Sequence, residues 1–198
     1  MPKDLDASVK RLLSQLEASD TPYLLVGGLA LLRYVAGRNT EDIDLVMALG
    51  DARRVPDLEI KGHDHDFAQA SFQGLAVDLL LTSNALFERI RRRHADTMDY
   101  LGHHVPVVSA TGLVALKLYA LPSLYRQGEH AKVQLYEGDI AMLLQAQPIE
   151  IERVFAELTS AVSATDLAEL RTIHAEIAAR LVRGDRFGAA GTTSKGLG

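Results

Sequence analysis

Residues Leu24 to Leu45 read LLVGGLALLRYVAGRNTEDIDL. The apolar run from Tyr23 to Val26 stops at Gly27-Gly28, which predicts a short buried strand ending in a turn. Leu29 to Val35 returns to helical spacing, and Gly37 is a natural terminator. Ile43 and Leu45 then alternate with Asp42 and Asp44, the two-residue period of a strand. Residues two apart on a strand project from one face, so Asp42 and Asp44 bring two negative charges together. Such a pair repels and loses solvation unless a cation is present. Magnesium suits it, taking few carboxylates and keeping positions for water and phosphate oxygens. The glycine pair is the second signal, because backbone N–H groups at a strand-to-helix turn bind phosphate and glycine permits close approach. Taken singly, each pattern also fits a plainer reading: Asp-x-Asp a solvated strand edge, Gly-Gly a tight turn.

Outward from this segment, Leu5, Val9, Leu12, Leu13 and Leu16 predict an amphipathic helix over Asp4 to Ala18. Leu58 to Ile60 and Val105 to Val108 read as short strands, and Ala85 to Arg93 as a helix. Leu75 to Leu81 is a further strand with Asp78 in its middle, where a lone charge in an apolar run is costly unless it is paired, metal-bound or at a solvated edge. Beyond Val108 only helices are predicted: Leu113 to Leu121, stopped by Pro122, then Val133 to Leu144, Ile149 to Leu158 and Asp166 to Val182. The fold class that follows is α+β, a mixed sheet flanked by helices and followed by a C-terminal helical part. The expected organisation is a core over 1–108 with its N-terminal helix, a helical part over 109–183, and a flexible Gly/Ser/Thr-rich tail over 184–198.

Composition narrows the function. The 198 residues contain no cysteine, which excludes disulfides, thiolate metal sites and thiol nucleophiles. No segment approaches the length of a membrane span, and the N-terminus lacks the apolar stretch of a secretory signal, so no membrane partner and a cytoplasmic location are expected. The net charge of −5 gives no bulk attraction to nucleic acid, so a polyanionic partner has to meet a local basic patch.

A phosphate-binding turn, a carboxylate pair and a third acid on a later strand together resemble the nucleotidyltransferase superfamily that includes DNA polymerase beta. The fuller strings, Gly27-Gly28-Leu29-Ala30 and Arg38-Asn39-Thr40-Glu41-Asp42-Ile43-Asp44-Leu45, resemble its minimal bacterial branch, which includes AbiEii-type toxins of toxin–antitoxin systems. Leu116-Lys117-Leu118 and Gly138-Asp139-Ile140 resemble later pieces of the same branch, although its Arg-x-Lys-Asp string is absent and Arg126 and Lys132 are spaced differently. The resemblance implies transfer of a nucleoside monophosphate from a nucleoside triphosphate to an acceptor such as tRNA, a protein or a small molecule. It implies two magnesium ions, or manganese in their place, held by Asp42, Asp44 and Asp78. It also implies catalytic roles for these acids and Lys117, with Gly27, Gly28, Arg38, Thr40, Lys117 and Asp139 at the substrate. A toxin would carry a cognate antitoxin as partner. The rival reading is a non-catalytic nucleotide-binding or partner-binding module on the same fold.

Two further segments are set aside at this stage. His63-Asp64-His65-Asp66 looks like a metal cluster, but no histidine precedes it as an HD phosphohydrolase requires, and it reads as a polar loop. Arg89, Arg91, Arg92, Arg93 and His94 form the one dense basic run, read as a solvated helix face ahead of a phosphate or nucleic-acid patch.

Overall fold

The computed structural model describes residues 3–37, 40 and 42–190. The chain divides into two compact units, Met1–Leu116 and Lys117–Gly198.

The first unit is built on one mixed sheet of seven strands in the order β3-β4-β5-β2-β1-β7-β6. The strands are β1 (Tyr23–Val26), β2 (Asp42–Met47), β3 (Leu58–His63), β4 (Phe67–Phe72), β5 (Leu75–Leu81), β6 (Ala95–Tyr100) and β7 (His103–Val108). Neighbours pair antiparallel except β2 with β5 and β1 with β7, which are parallel. The helices of this unit are α1 (Lys3–Ala18), α2 (Gly27–Leu31), α3 (Leu49–Ala52), α4 (Ala85–Arg93) and the start of α5 (Ala110–Arg126).

The alternation of each strand shows which face is covered. Ile43, Leu45 and Met47 on β2, Val77, Leu79 and Leu81 on β5, and Ala68, Ala70 and Phe72 on β4 are all buried. Val9, Leu12, Leu13 and Leu16 on α1 are buried as well, so its apolar stripe joins the core as its spacing predicts. Helix α4 begins at Asn84, whose side-chain oxygen accepts from the backbone N–H groups of Leu86 and Phe87, and it buries Leu86, Phe87 and Ile90.

The second unit holds the rest of α5 with α6 (His130–Ala146), α7 (Ile151–Leu158) and α8 (Ala164–Ala190). Val133, Ile140, Leu143, Val154, Phe155, Leu158, Leu170 and Ile177 are buried. Among the described residues no helix is long and apolar enough to cross a membrane.

Several boundaries differ from the sequence reading. Helix α5 runs through Pro122 to Arg126, because proline removes one backbone donor without ending a helix that packing supports. Helix α8 continues to Ala190, into the expected tail, whose last residues, 191–198, lie outside the described residues. Strand β7 begins at His103, two residues before the expected Val105. Helix α2 is a single turn that ends at Leu31, followed by a tightening turn in which Tyr34 N–H donates to Leu31 O at 2.9 Å. Two strands, β4 and β6, have no counterpart in the sequence reading.

Candidate active site

Asp42 and Asp44 stand on β2 and Asp78 on β5, the parallel pair at the middle of the sheet. The register sets Asp44 beside Asp78 and Asp42 beside Ala76. All three acids therefore share one sheet face, opposite Ile43, Leu45, Val77 and Leu79. Parallel strands at a sheet centre are normally covered on both sides. Here Asp42, Ala76 and Asp78 are exposed and Asp44 is half-buried, so the face is open where the acids are. Gln69 on β4 pairs with Asp78 and is also exposed, which adds a neutral hydrogen-bonding group to the same face.

The turn after β1 meets this face directly. Val26 is the register partner of Asp44, so Gly27 follows immediately beside it. Gly27 has φ +65, a left-handed conformation that glycine adopts without penalty. A Cβ at Gly27 would fall 1.7 Å from Asp44 Oδ2 and 2.3 Å from its Cγ. The missing side chain is thus the space that the Asp44 carboxylate occupies. A Cβ at Gly28 would come within 2.8 Å of Thr40 Oγ1. Thr40 Oγ1 in turn donates towards Asp42, at 3.0 Å from Oδ1 and 3.1 Å from the backbone oxygen. Gly27 abuts Asp44, and Gly28 abuts the threonine that orients Asp42. The one-turn length of α2 leaves little helix dipole, so this contact defines the glycine pair more than a helix terminus does.

The acids do not form a closed ligand set. Among the described residues no group of three or more His, Asp or Glu side chains is arranged to hold a metal ion. Like charges stay apart without a cation between them. Magnesium needs only one or two protein carboxylates, since it retains waters and binds substrate phosphates. The donors are all hard oxygens, which fits magnesium or manganese and not a thiolate-seeking metal.

Lys117 and Asp139 lie in the second unit, on α5 and α6. Lys117 Nζ donates to Asp139 Oδ2 at 2.7 Å, with side chains 7% and 1% exposed. The ammonium also sits 4.4 Å from the centre of the Tyr136 ring. The sequence reading set both residues at the substrate. The structure makes them a buried ion pair, and a contact from Lys117 to a phosphate would first have to break it. Arg38 lies outside the described residues.

The His63 to Asp66 segment closes the β3–β4 hairpin. Asp64 Oδ1 accepts from the N–H groups of Asp66 and Phe67, both at 2.8 Å, and these bonds hold its carboxyl below the ordinary range. Such a self-bonded turn is what a polar loop with this sequence would build.

No protein-family model matches the sequence, and no curated protein does. Solved structures do match. An antigenic nucleotidyltransferase-like protein from Paracoccidioides brasiliensis is 18% identical, with TM-score 0.52 over 85% of this chain and 92% of its own. The antibiotic-resistance factor ANT(2'')-Ia in solution is 14% identical, with TM-score 0.53 over 94% of this chain and 100% of its own. The same protein in complex with adenylyl-2''-tobramycin gives 11% and 0.54 over 85% and 98%. At these identities the likeness establishes the fold, a mixed sheet flanked by helices as in nucleotidyltransferases.

Proposed function

We propose that the chain is a metal-dependent nucleotidyltransferase that moves a nucleoside monophosphate from a nucleoside triphosphate to an acceptor hydroxyl. The observation that carries this reading is the register of Asp44 with Asp78, joined on the same face by Asp42 and abutted by Gly27. Structural likeness to nucleotidyltransferase-like proteins supports it at the level of fold.

Asp42, Asp44 and Asp78 would hold magnesium ions, which when bound offset the charge of the triphosphate and of the leaving pyrophosphate. The chain's own residues set the geometry. Thr40 fixes the Asp42 carboxylate by its hydroxyl. Gly27 leaves the Asp44 carboxylate its place, and the bare Gly27-Gly28 backbone offers N–H groups to phosphate oxygens without side-chain obstruction. Asp44 or Asp78 would accept the proton of the attacking hydroxyl, and Gln69, the register partner of Asp78, would orient that hydroxyl. Lys117 and Asp139 do not enter the reaction on this reading. They hold α5 to α6.

An AbiEii-type toxin role with a cognate antitoxin, and a cytoplasmic location, are the finer form of the same proposal. The toxin role rests on the resemblance of Gly27-Gly28-Leu29-Ala30 and Arg38 to Leu45 to that branch. The test is label transfer from each of the four triphosphates, with magnesium or manganese, to a tRNA pool, a protein lysate and an aminoglycoside. Transfer that stops with chelator and with Asp78→Asn is the expected result. Metal-dependent triphosphate binding without transfer to any acceptor would favour the non-catalytic module. Neither binding nor transfer would end both readings.

A further inference from the structure

The open face of the sheet continues past the acids onto β4. There Phe67, Gln69 and Ser71 share it, opposite Leu80, Asp78 and Ala76 of β5. The other β4 face, with Ala68, Ala70 and Phe72, is buried. Among the described residues of the sheet unit, Phe67 is the only large apolar side chain left exposed, at 46%. Phe87 of α4 meets it edge-on, ring centres 5.4 Å apart at 61°, so the ring is held at one side and open to solvent elsewhere. A single exposed ring is ordinary on a protein surface. This one is set apart by its place.

Val26 is the partner of Asp44, so the Gly27-Gly28 turn stands on the β1 side of the acids. Phe67 stands on the far side, on the second strand from β2, two residues from Gln69, the partner of Asp78. Diagonal neighbours of this kind lie about 7–8 Å apart. Glycine turn, Asp44, Asp78 and Phe67 therefore follow one another across the face. Displacement at phosphorus is in line, so the attacking oxygen arrives opposite the leaving one. With the terminal phosphates at the glycine turn, the acceptor lies over β5 and β4. Its oxygen bonds to the α-phosphorus as the bond to pyrophosphate breaks. Its proton passes to Asp44 or Asp78, and pyrophosphate leaves on the glycine side.

We infer that Phe67 selects the acceptor, holding the flat side of an uncharged hydroxylated ring, about the size of one sugar, while Asp78 and Gln69 meet its hydroxyl. The acceptor's direction rests on the nucleotidyltransferase reading, and the ring platform rests on Phe67 and its neighbours alone. A phenyl ring offers no hydrogen bond and gains by covering its face with apolar C–H surface. Its neighbours on this floor, Gln69, Ser71, Ala76 and Leu80, carry no charge. A charged group brought there would lose water without gaining a counter-ion, and a phosphate would also meet the field of Asp78. The short diagonal from Phe67 to Asp78 spans one ring and its substituents.

The experiment takes the full chain with magnesium, each triphosphate in turn and three probes: methyl glucoside, the open-chain sorbitol, and glucose 1-phosphate, which adds charge to the same ring. Label should pass to methyl glucoside in clear preference to the other two. Phe67→Ala should raise the KM for methyl glucoside about tenfold, with kcat and the slow hydrolysis of triphosphate by water unchanged. A thermal melt checks folding. Phe67→Trp should keep the KM. Because the chain has no tryptophan, the same variant places its one indole at the site, and methyl glucoside should change its fluorescence without triphosphate. Equal transfer to all three probes, an unmoved KM in Phe67→Ala, or an indole blind to methyl glucoside overturns the inference. Hydrolysis by water with no transfer to the ring sinks the platform and spares the nucleotidyltransferase reading. No turnover of triphosphate at all sinks that reading, and the indole titration still decides the platform.

Discussion

Two regions of this protein handle carboxylates in opposite ways. On the β2–β5 face, Asp42, Asp44 and Asp78 gather like charges where water reaches them. In the helical unit a single acid, Asp139, lies 1% exposed with the Lys117 ammonium against it. In the first arrangement the like charges on adjacent strands repel one another. The second is neutral as a pair, and removing either member takes the counter-charge from the other in the interior. If the proposed function holds, the first acids serve a ligand and the second serves the fold, and mutation should read them differently.

The largest effect on stability is expected at the buried pair. Asp139→Ala should cost about 3–5 kcal/mol in denaturant unfolding. Lys117→Met with Asp139→Leu should recover most of this, because the charge goes with its partner. If Asp139→Ala melted like wild type, the pair would not be a closed buried unit and the contrast would fail.

Asp44→Asn should do the reverse. Label transfer should slow by about 10²-fold or more, as when other electrostatic groups are removed from active sites. The metal-free melting temperature should hold or rise, because repulsion with its neighbours falls. Wild-type transfer in this variant would exclude Asp44 as an essential ligand.

A smaller effect is expected at the glycines. Gly27→Ala incurs the left-handed backbone cost of about 1–2 kcal/mol and also drives a methyl into the Asp44 carboxylate. Gly37→Ala is the control, with φ +86 and nothing within 4 Å of its added Cβ. Similar melting losses in the two, with transfer lost only in Gly27→Ala, would sharpen the assignment. Equal transfer in both would reduce Gly27 to a turn.

The smallest effect is a pH dependence. Burial, and then Glu17, pushes the Tyr23 hydroxyl up from 10.0 to about 12. The unfolded chain releases this proton near pH 10 and the folded one near 12. Its contribution to stability is therefore intact below pH 10 and lost between 10 and 12. Tyr23→Phe should flatten that part of the alkaline melting profile. An unchanged profile would show that Tyr23 is not sheltered as drawn.

Much of the first unit was legible in the sequence. Ile43 and Leu45 against Asp42 and Asp44, and the apolar frame of Asp78, gave β2 and β5 because period-two alternation survives in single sequences. Strand β4 was hidden because its inward residues include Ala68 and Ala70, too small to mark a face. Strand β6, Ala95 to Tyr100, is a polar edge whose pairing comes from β7 alone. Gln69 was missed with its strand. The Lys117–Asp139 pair joins residues on different helices, and no local pattern announces such a partner.

The parallel pairing of β2 with β5 has a consequence for how the chain comes of age. The β3–β4–β5 meander can close locally, but Asp44 meets Asp78 only when β2 docks beside β5 across that entire meander. Non-local pairing of this kind meets loop-closure entropy before any contact repays it, and it is slow compared with hairpin formation. The carboxylate face is therefore absent from a nascent or partly refolded chain, however much secondary structure that chain already has. A ribosome must release the sequence through Leu81 before the acids can act as a set.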